Sequence, residues 1–233
     1  MTSFQYDARI IENYPNLAAG VVVARGMTNA PAPDALQALY LEEQAAVKAR
    51  IGATALSELP SLSAWRRAIS AFGVSPTKYR SAAEALLRRL TKKGDIPSIN
   101  VLVDIGNLVS IRYGLPVAIF DRRQITGPIS VHYADGSEEF VELGSQAIIH
   151  PAPGEVVFSD EKRMVVARRW CWRQSATSAA SQETTDAVIT VEAQHEGGQG
   201  DIERALEDLL ALLPEYAGGS FDAAVLGACN AAI

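Results

Sequence analysis

The chain has 233 residues, with 21 Lys and Arg against 27 Asp and Glu, which gives a formal net charge of −6. This length allows one large domain or two small ones with a substantial core. The negative balance argues against a protein that coats nucleic acid indiscriminately, although it leaves a local basic face open. We find no apolar stretch near the roughly 20 residues that span a bilayer and no secretory signal at the N-terminus. We therefore expect a cytoplasmic protein that does not bind membranes.

The first half of the chain is predicted to be mainly helical. Residues 19–24 are an exception, because this short segment is rich in β-branched side chains and typical of a buried strand. Ser81 and Glu84 form a capping box, and Gly94 suits the position after a last helical turn, so the helix between them is the clearest. In chain order, the predicted helices cover residues 34–47, 63–69, 81–93 and 98–113.

The second half changes to strands. Residues 134–137 form a turn that should join the strands on either side as a hairpin, and a last helix is predicted to begin at Asp201. Together these elements predict an α+β fold, with a mostly antiparallel sheet flanked by helices. Alternating or β-branched segments predict the strands, at residues 117–121, 129–133, 138–143, 147–149, 155–158, 163–167 and 187–192.

A dense run of arginine and tryptophan occupies residues 168–175. One interpretation is a continuing strand, with Arg169, Cys171 and Arg173 on one side and the tryptophans on the other. Strand alternation accounts for buried tryptophans, but it does not account for three arginines. The other interpretation is a pocket or groove for a planar ligand that carries negative charge, such as a tRNA 3′ end.

A second basic region lies between residues 66 and 93, where Glu84 is the one acid. It is either a solvated helix face or a surface that contacts a phosphate backbone, whose affinity would fall with salt. The predicted RNA-binding residues are Arg66, Arg67, Lys78, Arg80, Arg88 and Arg89.

Other site chemistry is not evident. The sequence contains no G-x-S-x-G, H-E-x-x-H, paired C-x-x-C or phosphate-loop motif. His132, His150 and His195 are scattered along the chain, and a surface or structural role is favoured for each. Cys171 and Cys229 lie far apart without metal-ligand spacing, so we predict no metal, no cofactor and no disulfide.

Two segments resemble a known family. Residues 103–121 contain Val-Asp-Ile-Gly-Asn, then Gly-Leu-Pro, then a strand that ends Phe-Asp. Residues 169–175, followed by Glu-Thr-Thr at 183–185, form a second motif. In this order both are similar to the B3/B4 domain of the phenylalanyl-tRNA synthetase β subunit and of freestanding B3/B4 proteins. The resemblance implies one B3/B4-like domain over residues 1–233, with residues 1–14 and 215–233 as terminal extensions.

In the synthetase, this domain hydrolyses tRNA that carries the wrong amino acid. The resemblance therefore implies a stand-alone editing domain that deacylates mischarged aminoacyl-tRNA in trans, without aminoacylation activity, and with tRNA rather than DNA as its partner. By position in the matched motifs, the residues assigned to catalysis are Asn107, Arg173 and Ser175, and those assigned to substrate binding are Gly106, Tyr113, Ala118, Arg169, Trp170, Trp172, Gln174, Thr184 and Thr185.

The sequence departs from the family at three of these positions. Gly106 replaces a threonine, Ala118 replaces a histidine, and Arg173 stands where the family has the glutamate that recognises a tyrosine hydroxyl. The last change implies a ligand other than tyrosine, smaller or anionic. For ester hydrolysis, Asn107 is expected to position water or the ester carbonyl, while Arg173 and Ser175 donate to the developing oxyanion.

Two other functions are left open. Loss of the family's histidine and glutamate favours a module that binds tRNA or an amino acid without chemistry. The third possibility is a small-molecule pocket protein with no RNA role, which would show a basic face that is broken up in three dimensions. Deacylation and salt-dependent binding across a panel of mischarged tRNAs separate these functions.

Overall fold

The computed structural model describes residues 2–145 and 147–233. Its helices lie mostly in the first half of the chain, as predicted, and two short 3-10 turns accompany them. The helices are α1 (Ala8–Asn13), α2 (Asp34–Ile51), α3 (Pro60–Ala71), α4 (Ala82–Lys93), α5 (Val101–Tyr113) and α6 (Gly198–Ala217).

The strands form two main sheets and one small one. One main sheet has five strands in the order β1-β4-β7-β8-β9, and the other has four in the order β11-β2-β10-β3. Every pair of neighbours is antiparallel except β1 with β4, which confirms the α+β prediction. The strands are β1 (Phe4–Tyr6), β2 (Ala18–Arg25), β3 (Val117–Asp121), β4 (Ile129–Tyr133), β5 (Phe140–Val141), β6 (Ile148–Ile149), β7 (Val156–Ser159), β8 (Val165–Arg168), β9 (Arg173–Gln174), β10 (Ala187–Ala193) and β11 (Ser220–Leu226).

The four-stranded sheet is the middle of three layers. On β2, Val22 and Ala24 pack in the core shared with α5 and α6, whereas Ala19 and Val21 pack in a second core shared with the five-stranded sheet. Successive side chains of a strand point to opposite faces, so a strand covered on both faces is apolar throughout. On β10 the same alternation points the side chain of Glu192 toward the core between the two sheets.

Helix α4 begins and ends as the sequence predicts. The Ser81 hydroxyl accepts a hydrogen bond from the Glu84 backbone N–H at 3.2 Å, and Gly94 closes the helix in the left-handed region. This helix also holds the candidate site in place, because the Ala82 N–H donates to the Cys171 carbonyl at 2.8 Å. Among the residues that the structure covers, no helix is both long and apolar enough to cross a membrane.

Replacing Ser81 with alanine is expected to lower the free energy of unfolding by about 1 kcal/mol, since the variant loses a helix N-cap. Urea unfolding of both proteins measures the difference. Ser70→Ala is the matched control, because Ser70 is exposed in α3 and its loss should change stability by less than about 0.5 kcal/mol. Equal effects of the two substitutions would contradict the assigned cap.

The predicted hairpin around residues 134–137 is wrong. Strand β4 pairs with β1 and β7, whereas β5 pairs with β6. The buried carboxylate of Glu138 explains the difference, because it accepts hydrogen bonds from the backbone N–H groups of Asp135 and Gly136. It also accepts one from Arg163 at 2.9 Å. This polar cluster turns the chain away from β4.

Both ends of the chain are paired with the sheets. Strand β1 lies beside β4, and β11 pairs along its whole length with β2. Neither strand was expected from the sequence, which treated residues 1–14 and 215–233 as extensions. Each of these segments therefore contributes an edge strand to a sheet, β1 to the five-stranded sheet and β11 to the four-stranded sheet. The assignment of a single domain stays a prediction.

Candidate active site

A small cavity of about 70 Å³ lies between the two sheets, where β10 and β3 face the turn between β8 and β9. Its walls are mainly apolar, and its buried side carries one carboxylate. The lining residues are Ala82, Pro116, Val117, Ala118, Phe158, Ala167, Trp170, Cys171, Trp172, Arg173, Gln174, Thr190 and Glu192.

The turn between β8 and β9 contains the arginine–tryptophan run. Arg169 and Trp170 both have positive φ angles, 48° and 60°, a region that residues other than glycine enter only when the surroundings hold them there. The run is therefore a tight turn, and the predicted strand alternation does not continue through it. As a result the two tryptophans separate: Trp170 is fully buried, whereas Trp172 is partly exposed.

A buried ion pair holds this turn. Glu155 accepts two hydrogen bonds from the Arg168 guanidinium, each at 2.8 Å, and a third from the Arg169 backbone N–H at 3.1 Å. Trp170 then packs edge-on against Tyr14 and Trp65, with ring centroids 4.7 and 5.3 Å away. The first arginine of the run is thus structural, which neither interpretation of the sequence anticipated.

Glu192 is the functional candidate that the sequence did not reveal. Its side chain is 2% exposed. Oε1 accepts hydrogen bonds from the Tyr6 hydroxyl at 2.6 Å and from Trp170 Nε1 at 2.9 Å. Among described residues, Oε2 accepts none, and the carboxylate lines the cavity. Burial raises the pKa of Glu192 to about 7, against the lowering effect of these two hydrogen bonds.

A signal for Glu192 was present in the sequence. It is the one acid within the predicted strand at residues 187–192, whose other members are apolar or threonine. A carboxylate in a strand buried on both faces needs a specific partner or a specific task. Its two partners, Tyr6 and Trp170, are 186 and 22 residues away, so only the fold brings them together.

Cys171 is the other titratable group of the cavity. Burial raises the pKa of its thiol well above the ordinary value, and the nearby Glu192 raises it further. Since the thiolate is the nucleophilic form, this thiol is unsuited to covalent catalysis. In the part of the chain that the structure describes, both cysteines are free.

Some of the predicted site residues are brought together at the cavity, and the structure places Arg169 just outside its mouth. Arg173 lies at the exposed rim and forms an ion pair with Glu142, and Gln174 Nε2 donates to the Ile119 carbonyl at 2.7 Å. The predicted residues that line the cavity are Ala118, Trp170, Trp172, Arg173 and Gln174.

Two of the three residues predicted to be catalytic lie away from it. Asn107 faces α2, where its amide lies beside the Tyr40 hydroxyl. Ser175 is buried and donates to the Val141 carbonyl at 3.1 Å. Neither side chain is among the residues that line the cavity, and their catalytic roles stay predictions.

Four residues predicted to bind substrate lie away from the cavity and make contacts that stabilise the fold. Gly106 lets α5 approach β3, since a Cβ there would lie 3.0 Å from Ile119 Cδ1. Tyr113 donates to Asp208 at 2.8 Å. The two threonines bind aspartates close to the end of β3: Thr184 donates to Asp121 and Thr185 donates to Asp186, both at 2.7 Å.

The predicted RNA-binding residues do not form one free basic face. Arg66 and Arg80 both pair with the buried Glu84, at 2.8 and 3.3 Å. Arg67 donates to Ser63 and Arg89 to the Asp95 carbonyl. Lys78 lies over the ring of Tyr79, close to the cavity mouth, and Arg88 is partly exposed on α4. Lys78 thus lies beside Tyr79, whose ring contacts Trp172 at the cavity.

Most of the chain is similar to one known protein family. Residues 64–218 match the model of a family described as the B3/4 domain. A phenylalanine–tRNA ligase β subunit from Shewanella oneidensis is 26% identical over 110 residues, which are 47% of this chain and 14% of that subunit. One from Cereibacter sphaeroides is 37% identical over 104 residues, 45% of this chain and 12% of that subunit.

A solved structure is also similar, an N-terminal fragment of the phenylalanyl-tRNA synthetase β subunit from Pyrococcus horikoshii. It aligns with 94% of this chain and 50% of the fragment, at 12% identity and a TM-score of 0.48. The chain corresponds to only a small part of the ligase subunits that it matches. The family match covers most of the chain and includes the cavity, the arginine–tryptophan turn and the Glu192 strand, and on that basis the protein belongs to the B3/4 domain family.

Proposed function

We propose that this protein hydrolyses mischarged aminoacyl-tRNA in trans and that the cavity between its sheets holds the aminoacyl group. The buried carboxyl group of Glu192 at the end of a small, mainly apolar cavity carries the proposal. Such a cavity suits one amino-acid side chain, and its polar group selects among side chains. The β subunits with which the chain aligns act on tRNA, according to their names.

The walls and the buried end of the cavity have separate tasks. Ala118, Phe158 and Ala167 contact the apolar part of the side chain. Glu192 recognises a hydroxyl or N–H group at its end through Oε2. With a pKa of about 7, this carboxyl is present in both forms near neutral pH, so it accepts a hydrogen bond when ionised and donates one when protonated.

This arrangement revises the expected ligand. Arg173 suggested an anionic side chain when the sequence alone was considered. The structure pairs Arg173 with Glu142 and places a second carboxylate, Glu192, inside the cavity. An anionic side chain would meet Glu192 in a buried setting, where like charges repel strongly. We therefore propose a neutral, hydrogen-bonding side chain.

Hydrolysis itself takes place at the rim. Water attacks the ester carbonyl, and negative charge develops on the carbonyl oxygen. Arg173 is the one cation among the described residues that line the cavity, and it is paired with Glu142. The ribose hydroxyl that forms the ester leaves with a proton, and the neighbouring ribose hydroxyl assists proton transfer.

Replacing Arg173 with alanine is expected to lower the deacylation rate about 100-fold, the typical effect of removing one group that stabilises an oxyanion. Its side chain is 43% exposed, so the melting temperature should stay within a few degrees of the wild-type value. Arg9→Ala, at an exposed arginine of α1, is the matched control. An unchanged deacylation rate in the Arg173 variant would remove this residue from the mechanism.

One observation favours a second function, binding of aminoacyl-tRNA without hydrolysis. The described residues that line the cavity include no histidine, and the three histidines bind elsewhere, to Ser159, Glu138 and Asp201. Such a module would protect the ester rather than cleave it.

Deacylation of a tRNA panel tests the proposal. The full chain is mixed with tRNAs that each carry one of the 20 amino acids, and loss of the labelled ester is followed against a reaction without protein. Faster loss for one or a few amino acids is expected. Slower loss together with saturable binding would support the second function instead, and no change with any tRNA would overturn the first.

A further inference from the structure

Outside the cavity mouth, one arginine contacts two aromatic rings. The guanidinium carbon of Arg169 is 3.6 Å from the ring centroid of Tyr79 and 4.5 Å from that of Trp172. The two rings meet edge to face, with centroids 5.0 Å apart. We refer to Tyr79, Arg169 and Trp172 as the Arg169 stack. Because aromatic rings contact a guanidinium without accepting its N–H groups in conventional hydrogen bonds, these groups are left for another partner.

The side-chain N–H groups of Arg169 have few hydrogen-bond partners among the described residues. Its Nε lies 3.7 Å from Glu155, beyond hydrogen-bonding distance. The same carboxylate already accepts two hydrogen bonds from Arg168. The side chain of Arg169 is 14% exposed, and its terminal nitrogens donate no hydrogen bond to a described residue. Its contact with Glu155 is made instead by the backbone N–H, at 3.1 Å.

The surroundings of the stack are positive in a chain that is negative overall. Lys78 Nζ lies 5.0 Å from the Tyr79 centroid, and the guanidinium carbon of Arg173 lies 4.6 Å from that of Trp172. Four cations, Lys78, Arg168, Arg169 and Arg173, thus face two carboxylates, Glu142 and Glu155. Hydrogen bonding from Lys78 lowers the pKa of the Tyr79 hydroxyl, and the charge of Arg169 lowers it further.

We propose that Arg169 binds a phosphodiester group of a single-stranded RNA 3′ end, at the linkage next to the terminal ribose. This inference rests on the proposed function, which places that ribose at the cavity rim. Trp172 and Arg173 belong to the rim, and Trp172 also belongs to the stack, so the nearest phosphate of a bound strand reaches Arg169. Two parallel N–H donors of a guanidinium match two phosphate oxygens, and the rings hold those donors in place before RNA binds.

Binding of the uncharged RNA ACCA to the full chain tests this proposal without any chemistry. Fluorescence anisotropy gives the affinity at several salt concentrations. Arg169→Gln is expected to weaken binding about tenfold and to reduce the slope of log affinity against log salt by about 0.7, the share of one phosphate on a single strand. Tyr79→Leu, which removes one ring, should also weaken binding. Arg204→Gln is the matched control, since Arg204 pairs with Asp201 on α6, and it should change neither quantity.

A neutral linkage sharpens the test. For ACCA with an uncharged methylphosphonate at its last linkage, the affinity of the wild-type chain should fall by the same tenfold. The affinity of Arg169→Gln should not fall further. Equal losses in both proteins, or an unchanged salt slope in the variant, would overturn the proposal. Inorganic phosphate at the concentration of the RNA should not compete; effective competition would replace the RNA assignment with a free-phosphate site.

The outcomes separate this inference from the proposed function. If RNA binds through Arg169 but no charged tRNA is hydrolysed, the proposed function fails while the phosphate site stands. If charged tRNA is hydrolysed and Arg169→Gln binds ACCA with wild-type affinity and salt slope, the phosphate site fails while the function stands.

Discussion

Replacing Trp170 with alanine is expected to lower the free energy of unfolding by about 3–5 kcal/mol, the usual loss when a buried aromatic side chain is truncated. The indole is fully buried and packs edge-on against Tyr14 and Trp65. The variant also removes the N–H that donates to Glu192. Urea unfolding, followed by circular dichroism, measures the change.

Trp172→Ala is the matched control for this prediction, because the two tryptophans are two residues apart in the same turn. Trp172 is partly exposed and contacts Tyr79 and two arginines, contacts that contribute about 1 kcal/mol at an exposed site. Similar losses of stability in the two variants would contradict the burial difference that the left-handed turn creates.

Glu192→Gln is expected to make the protein more stable at pH 8. The pKa of the native carboxyl is about 7, against an ordinary value of 4.5. Below pH 4.5 the group is protonated in both the folded and unfolded states, so it does not affect stability. As the pH rises from 4.5 to 7, the unfolded chain releases the proton while the folded protein retains it, and stability falls. At about 1.4 kcal/mol per pH unit, the loss is about 3 kcal/mol.

The measurement compares the free energy of unfolding of the wild-type and Glu192→Gln proteins between pH 4.5 and 8. Glutamine does not titrate, and its carbonyl accepts from both Tyr6 and Trp170, so the difference between the proteins should grow by about 3 kcal/mol over this range. Glu203→Gln, at an exposed position of α6, should show a constant difference. A constant difference for Glu192→Gln as well would mean that the carboxyl is not desolvated as described.

Local patterns in the sequence were sufficient to predict much of the fold. The Ser81 cap and Gly94 define α4 because capping depends on residues three or four apart. Apolar β2 is recognisable because both its faces are covered. Strands β1 and β11 were missed because their partners, β4 and β2, lie far away along the chain, and the short segments themselves have weak patterns.

The site was harder to predict for the same physical reason. Composition located the arginine–tryptophan run, and five of the residues assigned from the family motifs do line the cavity. The sequence could not reveal that Arg168 forms a buried ion pair with Glu155. Nor could it reveal the left-handed backbone at Arg169 and Trp170, which separates the two tryptophans. Glu192 joins the site through contacts between distant segments, since its strand pairs with β2 and its carboxylate accepts hydrogen bonds from Tyr6 and Trp170.

The most direct test of the central claim is the amino-acid selectivity of ester hydrolysis by the wild-type and Glu192→Ala proteins. We predict that the wild-type chain deacylates tRNA carrying a neutral side chain with a terminal hydroxyl or N–H group faster than tRNA carrying its apolar counterpart. Glu192→Ala should reduce that preference about 10-fold to 100-fold, the effect of losing a hydrogen bond to a charged group. Absence of deacylation by the wild-type chain, or the same preference in both proteins, would contradict the account.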